Sequence, residues 1–216
     1  MISLGEIEPD AITFLRTRNY DPTRMSDDIG DICSMWMVAD AFQMREEFIA
    51  QFGFAIPTRD ILDVISRYAP ILEVGSGCGY WAYELRRRGV DIVATDPGTG
   101  RYAFQSKGAP WRPWTKIEAL TADHAIAAYP DRTLLVVWPD YADPWAADAL
   151  CMYPKDIVLY VGEGADGCTA DEAFHARLAQ DFDEERVLAI PVFYGLHDRL
   201  FVYRRRKSTN QGGEHE

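Results

Sequence analysis

Three features of this 216-residue sequence predict an α/β protein built on a doubly wound, mostly parallel sheet. After Pro70, short apolar runs alternate with helix-length amphipathic segments, the pattern of strands joined by crossovers. Thr133 to Trp138 (TLLVVW) is almost wholly apolar, as expected of a strand covered on both faces. The last two strand-like runs, Arg186 to Phe193 and Arg199 to Arg205, are separated by a turn too short for a parallel crossover. They must pair as an antiparallel hairpin.

The elements follow in chain order. Residues 1 to 30 read as loop with one short helix. From Asp31 to Phe52 apolar residues recur mostly at three- and four-residue steps, which predicts an amphipathic helix with a break near Gln43. Thr58 is placed to cap a second helix whose buried stripe is Ile61, Leu62, Val64 and Ile65. Ile71 to Val74 is the first strand, Tyr80 to Arg88 a helix stopped by Gly89, and Asp91 to Thr95 the second strand. Trp114 to Ala119 is expected as a third strand, followed by a helix from Thr121 to Ala128. Thr133 to Trp138 is the fourth strand, Asp143-Pro144 opens the next helix, and Asp156 to Val161 is the fifth strand. Thr169-x-x-Glu172 reads as a capping box for a helix to Phe182. The hairpin strands bring the sheet to seven. Residues 1–69 are thus expected as an N-terminal helical extension, 70–207 as the α/β domain, and 208–216 as a polar tail.

Composition narrows the function classes. The formal charge is −12, with 34 acids against 22 bases, which argues against a long nucleic acid as partner. Arg86-Arg87-Arg88 and Arg204-Arg205-Arg206-Lys207 are local exceptions, read as a helix end and a solvated strand end. No apolar run is long enough for a membrane span, and the acidic N-terminus lacks a signal peptide's basic start, so a cytoplasmic location is expected. Four scattered cysteines and four scattered histidines give no metal-ligand spacing, and no metal is expected.

The segment ILEVGSGCGYW, residues 71 to 81, carries the clearest chemistry. Gly75 and Gly77 let the backbone turn and approach a ligand closely, and Gly79 lets the following helix start near the strand. A dinucleotide loop would place its third glycine at position 80, where this chain has Tyr80. Glu73 directly before the loop would repel a pyrophosphate but attract a cation. Asp96 ends the second strand, where one carboxylate can accept both hydroxyls of a ribose. Together these favour a positively charged sulfur nucleoside, S-adenosylmethionine.

Glu73-Val-Gly75-Ser-Gly77-Cys-Gly79 followed by Asp96 resembles the first two motifs of the class I, Rossmann-like, S-adenosylmethionine-dependent methyltransferases. That family's sheet ends in an antiparallel hairpin, and the likeness covers residues 70 to 205. The resemblance implies a cofactor site made of Glu73, Gly75, Ser76, Gly77, Gly79, Tyr80, Asp96 and Pro97, with Glu118 and Ala119 near the adenine and Trp138 over the pocket. Gly79-Tyr80-Trp81 and the Trp138-Pro139 turn are similar to those of stand-alone bacterial and fungal methyltransferase-like proteins, a likeness that brings no substrate with it.

The reaction centre departs from the family pattern. Amino-methylating members carry Asp/Asn-Pro-Pro-aromatic after the fourth strand, whereas this chain reads Trp138-Pro139-Asp140-Tyr141. The usual acceptor position holds Trp138, and Asp140 stands two residues later as candidate orienter or general base, with Tyr141 beside it. Glu163, between Gly162 and Gly164 after the fifth strand, is the second candidate acid. The expected activity is methyl transfer to an oxygen or nitrogen of a small molecule, with Trp36, Met37, Phe42 and Phe48 contributing to the acceptor pocket. Alternatives are a cofactor-binding protein without catalysis and a nucleic-acid methyltransferase; a nicotinamide-dependent oxidoreductase ranks last.

Overall fold

A computed structural model describes residues 9–18, 35–98 and 112–207. In chain order the elements are α1 (Pro9–Thr17), α2 (Met35–Phe52), α3 (Arg59–Ser66), β1 (Ile71–Val74), α4 (Tyr80–Arg87), β2 (Ile92–Thr95) and α5 (Ala122–Ala128). Then follow β3 (Thr133–Val137), α6 (Trp145–Met152), β4 (Ile157–Gly162), α7 (Glu172–Asp181), β5 (Phe182–Ala189) and β6 (Arg199–Arg205). The strands form one sheet in the order β2-β1-β3-β4-β6-β5, parallel except for β6, which pairs antiparallel with both β4 and β5. The chain leaves β1 toward β2 on one side and returns to β3 on the other, so a crevice opens at the carboxyl ends of β1 and β3.

Alternation along each strand sorts side chains onto two faces. Ile71, Leu135, Leu159, Val161 and Val202 face α3 and α4, meeting Ile61, Leu62, Ile65, Trp81 and Leu85. Leu72, Val74, Leu134, Val136, Val158 and Tyr160 face the helices α5 to α7 and meet Ile126, Leu150, Phe174 and Leu178. Each fully buried leucine or isoleucine contributes about 1.5–3 kcal/mol. Although α3 precedes the α/β segment in sequence, its apolar stripe therefore belongs to the central core.

A third cluster joins α1 and α2 to the domain. Phe14, Phe48 and Phe52 pack in edge and tilted contacts, Phe52 lies 4.9 Å from Tyr80, and Phe48 lies 5.1 Å from Phe193. Trp114 stacks on Phe52 and donates its indole N–H to the Gln51 carbonyl.

Several elements differ from the sequence expectation. The sheet has six strands among the described residues, because the segment expected as the third strand pairs with β2 only through the bridge between Thr95 and Glu118. Two hydrogen bonds, Glu118 N–H to Ala94 and Asp96 N–H to Glu118, are all that is left of that ladder. Pro113 just upstream cannot donate to a ladder, and the backbone there turns instead toward Cys78, which accepts from Trp114 N–H.

Helix α2 runs without a break through Gln43. Thr58 caps α3 as expected, accepting from Ile61 N–H at 3.4 Å. By contrast α7 is capped by Asp171, which accepts from Phe174 N–H at 2.8 Å, and the hydroxyl of Thr169 is used elsewhere. β5 starts at Phe182, directly after α7, rather than at Arg186, and shifts register between Glu184 and Arg186. Its exposed Asp-Glu-Glu-Arg run carries no apolar alternation, consistent with an edge strand guarded by charge. The tail from Ser208 lies outside the described residues.

The arginines of both basic clusters are paired. Arg86 donates to the carbonyls of Ile92 and Lys116, Arg87 pairs with Glu84, and Arg88 pairs with Glu84 and Asp63. Arg204 pairs with Glu185, Arg205 donates to the Tyr153 and Lys155 carbonyls, and Arg206 holds Asp183 and the end of α7. Neither cluster is a free positive surface for a polyanion.

Candidate functional site

The crevice holds a cleft of ≈ 800 Å³, near the upper part of the ~300–1,000 Å³ range of small-molecule sites. Its floor is the turn from β1 into α4. Gly75, Gly77 and Gly79 all have left-handed φ, at 64°, 54° and 73°. A Cβ on Gly75 would stand 2.8 Å from the Trp145 ring, and one on Gly79 3.0 Å from Ile117. Glycine is therefore required there by conformation and by crowding alike.

Asp96 points into this turn. One oxygen accepts from Gly77 N–H at 2.9 Å and the other from Gly98 N–H at 2.7 Å. A carboxylate has about four lone-pair sites, so acceptor capacity remains on the cleft side. Pro97 and Gly98 continue the lining.

Glu73 is the most unusual group in the cleft. It is 1 % exposed, and its Oε2 has no hydrogen-bond partner. Burial pushes its carboxyl up to about 8, against the pull of the Arg86 guanidinium and the Ala82 amide. Ser76 Oγ and Trp81 Nε1 are also buried in the lining without partners. Three unsatisfied polar atoms around one turn are a costly arrangement unless a ligand completes it.

The remaining cofactor candidates divide. Ser76, Tyr80, Ala119 and Trp138 line the cleft. Glu118 does not; its side chain accepts from the Tyr129 hydroxyl at 2.6 Å and from Lys116 at 3.3 Å. Of the reaction-centre candidates, Asp140 lines the cleft, with one oxygen accepting from Trp145 Nε1 at 3.2 Å. Burial raises its carboxyl above the ordinary range, with Asp143 and Asp96 adding to the shift and the Trp145 bond opposing it. Tyr141 is 65 % exposed and outside the lining.

Glu163 is also outside the cleft. Its two oxygens accept from the amides of Cys168 at 2.7 Å and His197 at 2.8 Å. Burial pushes this carboxyl up, but those amides and the His197 ring outweigh it and leave it below its usual value. It joins the β4 turn to the turn before β6.

Trp138 directly follows β3 with a left-handed φ of 51°. It stacks on Phe54 at 4.8 Å with an 8° angle between rings, and its indole N–H donates to Asp198 at 2.8 Å. Asp198 is 2 % exposed, and burial drives its carboxyl up to about 7. The Arg45 guanidinium lies 5.3 Å from the same indole.

Several lining residues were not foreseen from sequence. Trp145 follows the Asp143-Pro144 helix start at the carboxyl edge, a position that could have flagged it. Phe52, Gly53 and Phe54 enter from the end of α2, and no local pattern distinguishes them from ordinary core residues. Phe42 is 55 % exposed and Phe48 is buried in the cap cluster, so neither lines the cleft. The side chains of Trp36 and Met37 lie outside the described residues. Among the described residues, no group of three or more His, Cys, Asp or Glu is gathered to hold a metal, and no helix is long and apolar enough to cross a membrane.

No protein-family model and no curated protein matches the chain. Among solved structures it is similar to magnesium protoporphyrin IX methyltransferase of Synechocystis PCC 6803 with bound SAM, at 10% identity over 76% of this chain and 84% of that one, TM-score 0.47. It is similar to a SAM-dependent methyltransferase of Archaeoglobus fulgidus at 10% identity over 79% and 99% of the two chains, TM-score 0.45. A third, 1,6-didemethyltoxoflavin-N1-methyltransferase of Burkholderia thailandensis, shares 14% identity over 82% and 92%, TM-score 0.39. Likenesses this distant assign no activity. By its own strand order and its antiparallel penultimate strand, the chain has the doubly wound, Rossmann-like fold on which class I methyltransferases are built.

Proposed function

We propose that the protein is an S-adenosylmethionine-dependent methyltransferase acting on a small molecule. The observation that carries this reading is Glu73: a buried carboxylate with an unpartnered oxygen in the lining of the cleft, below a glycine turn that Asp96 faces. A cation would draw the proton off Glu73 and pair with the carboxylate, whereas a pyrophosphate would bring negative charge against Asp96 and leave Glu73 without a counter-charge. The residues thus fit S-adenosylmethionine, which is doubly cationic at sulfur and amine, better than a dinucleotide. When bound, the cofactor supplies a methyl group made electrophilic by the sulfonium.

The chain's own residues would hold and orient it. Asp96 accepts the ribose hydroxyls, Glu73 balances the positive charge, and Ser76 and Trp81 offer donors to the carboxylate end. Of the three reaction-centre candidates read from the sequence, Asp140 would take a proton from the acceptor, since Tyr141 and Glu163 stand away from the lining. The end of α2 and the turn after it would close the acceptor side through Phe52 and Phe54. A nucleic-acid acceptor is disfavoured by the paired state of both arginine clusters.

Calorimetry with S-adenosylhomocysteine and with NAD tests the reading. We expect the former to bind at micromolar concentration and the latter not to bind. No S-adenosylhomocysteine binding below millimolar concentration would refute it.

A further inference from the structure

The cleft is biased in charge and shape at the part formed by residues 52–54 and 137–145. Phe52, Phe54, Trp138 and Trp145 supply aromatic surface, and Asp140 and Asp143 supply the charge. Among the described lining residues Lys116 is the single base, and its side chain is 81 % exposed and paired with Glu118 at 3.3 Å. The guanidinium of Arg45 lies against Trp138 but outside the lining. Trp138 is held in place three ways, by stacking on Phe54, by its bond to Asp198 and by the β3 backbone, whose hydrogen bond to Val161 it continues. This is a rigid aromatic wall beside an acid that Trp145 orients.

From this wall and the acid beside it we infer that the acceptor is a flat aromatic or heteroaromatic compound carrying an amine, and that carboxylated or phosphorylated acceptors are refused. The inference rests on the methyltransferase reading and names the substrate class of that site. The ring packs against the wall formed by Phe54 and Trp138, where a cationic or neutral amine gains from both the π faces and the acids. An anion would meet Asp140 and Asp143 inside the lining, where the one base, Lys116, is paired with Glu118, and the guanidinium of Arg45, 5.3 Å from Trp138 and 6.0 Å from Phe54, lies outside it. For an alkylammonium, Asp140 takes one proton and leaves a neutral amine. The nitrogen lone pair then forms the N–C bond, the electrons of the broken S–C bond stay on sulfur, and the methylated ammonium keeps the positive charge that sulfur loses.

The test is a matched series of probes: tryptamine, tryptophol, indole-3-acetate and hexylamine. Each is titrated by calorimetry at pH 7.5 into the free protein and into protein saturated with S-adenosylhomocysteine. We expect tryptamine to bind roughly 10-fold or more tighter than tryptophol or hexylamine, as one charge-assisted contact and one aromatic contact would give, and indole-3-acetate to bind worst. Asp140→Asn, which still offers Trp145 an acceptor, should remove most of the advantage of tryptamine over tryptophol, with Asp143 retaining the remainder. Phe54→Leu should erase the advantage of tryptamine over hexylamine while keeping the charge ranking. Indole-3-acetate binding as well as tryptamine, hexylamine equalling tryptamine, an Asp140→Asn protein of unchanged circular dichroism with the ranking intact, or no tryptamine binding at millimolar concentration would each overturn the inference. Failure of S-adenosylhomocysteine to bind would sink the methyltransferase reading alone, because the free-protein titrations still decide the probe ranking.

Discussion

Two glutamates sit at comparable places in this sheet and behave in opposite ways. Glu73 belongs to β1 and Glu163 directly follows β4; both are nearly inaccessible, at 1 % and 5 % exposed. Glu163 has each oxygen on a backbone amide and is held below its ordinary pKa, so its charge is part of the fold. Glu73 keeps an unpartnered oxygen and is pushed up to about 8, so its charge is a liability until something positive arrives. The contrast separates a carboxylate whose charge the fold satisfies from one whose charge the fold leaves unsatisfied.

The largest expected effect is in the pH dependence of stability. Because Glu73 moves from 4.5 up to about 8 on folding, the folded protein holds a proton that the unfolded chain has released across that interval. The Glu73 contribution is therefore most favourable below the ordinary glutamate range and falls as pH rises through 8, by up to ~1.4 kcal/mol per pH unit. Glu73→Gln should flatten this slope in chemical denaturation between pH 5 and 8, as measured against wild type, while weakening S-adenosylhomocysteine at least ~10-fold. A variant with the wild-type slope would break the contrast.

Glu163→Gln should act the other way. With a single acceptor oxygen it leaves the Cys168 or His197 amide unsatisfied, costing about 1–3 kcal/mol at neutral pH. Glu163 is lowered, so its contribution is present above the ordinary glutamate range and disappears as pH falls through its depressed value. In urea unfolding the difference from wild type should be largest at neutral pH and shrink progressively as pH is lowered below the ordinary glutamate range.

Asp96→Asn should cost S-adenosylhomocysteine ~1.5–3 kcal/mol of affinity by calorimetry, through loss of charge-assisted bonds, with a smaller change in melting temperature. The smallest effect is expected for Thr169→Val. It removes the hydroxyl that accepts from Glu163 N–H at 2.9 Å and meets the Tyr160 hydroxyl, at a cost of about 1 kcal/mol in urea unfolding.

Sequence reading reached the parts of this site that depend on one short stretch of chain. The glycines, Glu73 and Asp96 lie at the ends of two strands whose apolar pattern is plain, and topology brings those ends together. It reached Asp140 because the β3 terminus is equally plain. It did not separate Glu163 from Asp140, since both follow strands and only the neighbours differ: amides from distant turns close around one and an indole orients the other. Phe54 and Trp138 meet across the chain with no periodicity to announce the contact. β5 was displaced for a related reason, because an edge strand exposed on most of its length has no apolar alternation to read. Much of the arginine pairing is hidden from sequence because the partners lie far along the chain or are carbonyl groups, which carry no residue signature, although Glu84 pairs with Arg87 and Arg88 from one helical turn away.

The contact between Phe48 and Phe193 has a consequence for biosynthesis. Helix α2 leaves the ribosome early, yet an aromatic partner from the last hairpin is still to be translated. At 5–20 residues per second that interval is on the order of ten seconds. Over that interval the nascent α2 carries Phe48 without its contact to Phe193. Ribosome-bound chains halted before and after residue 193 should differ sharply in protease resistance at α2.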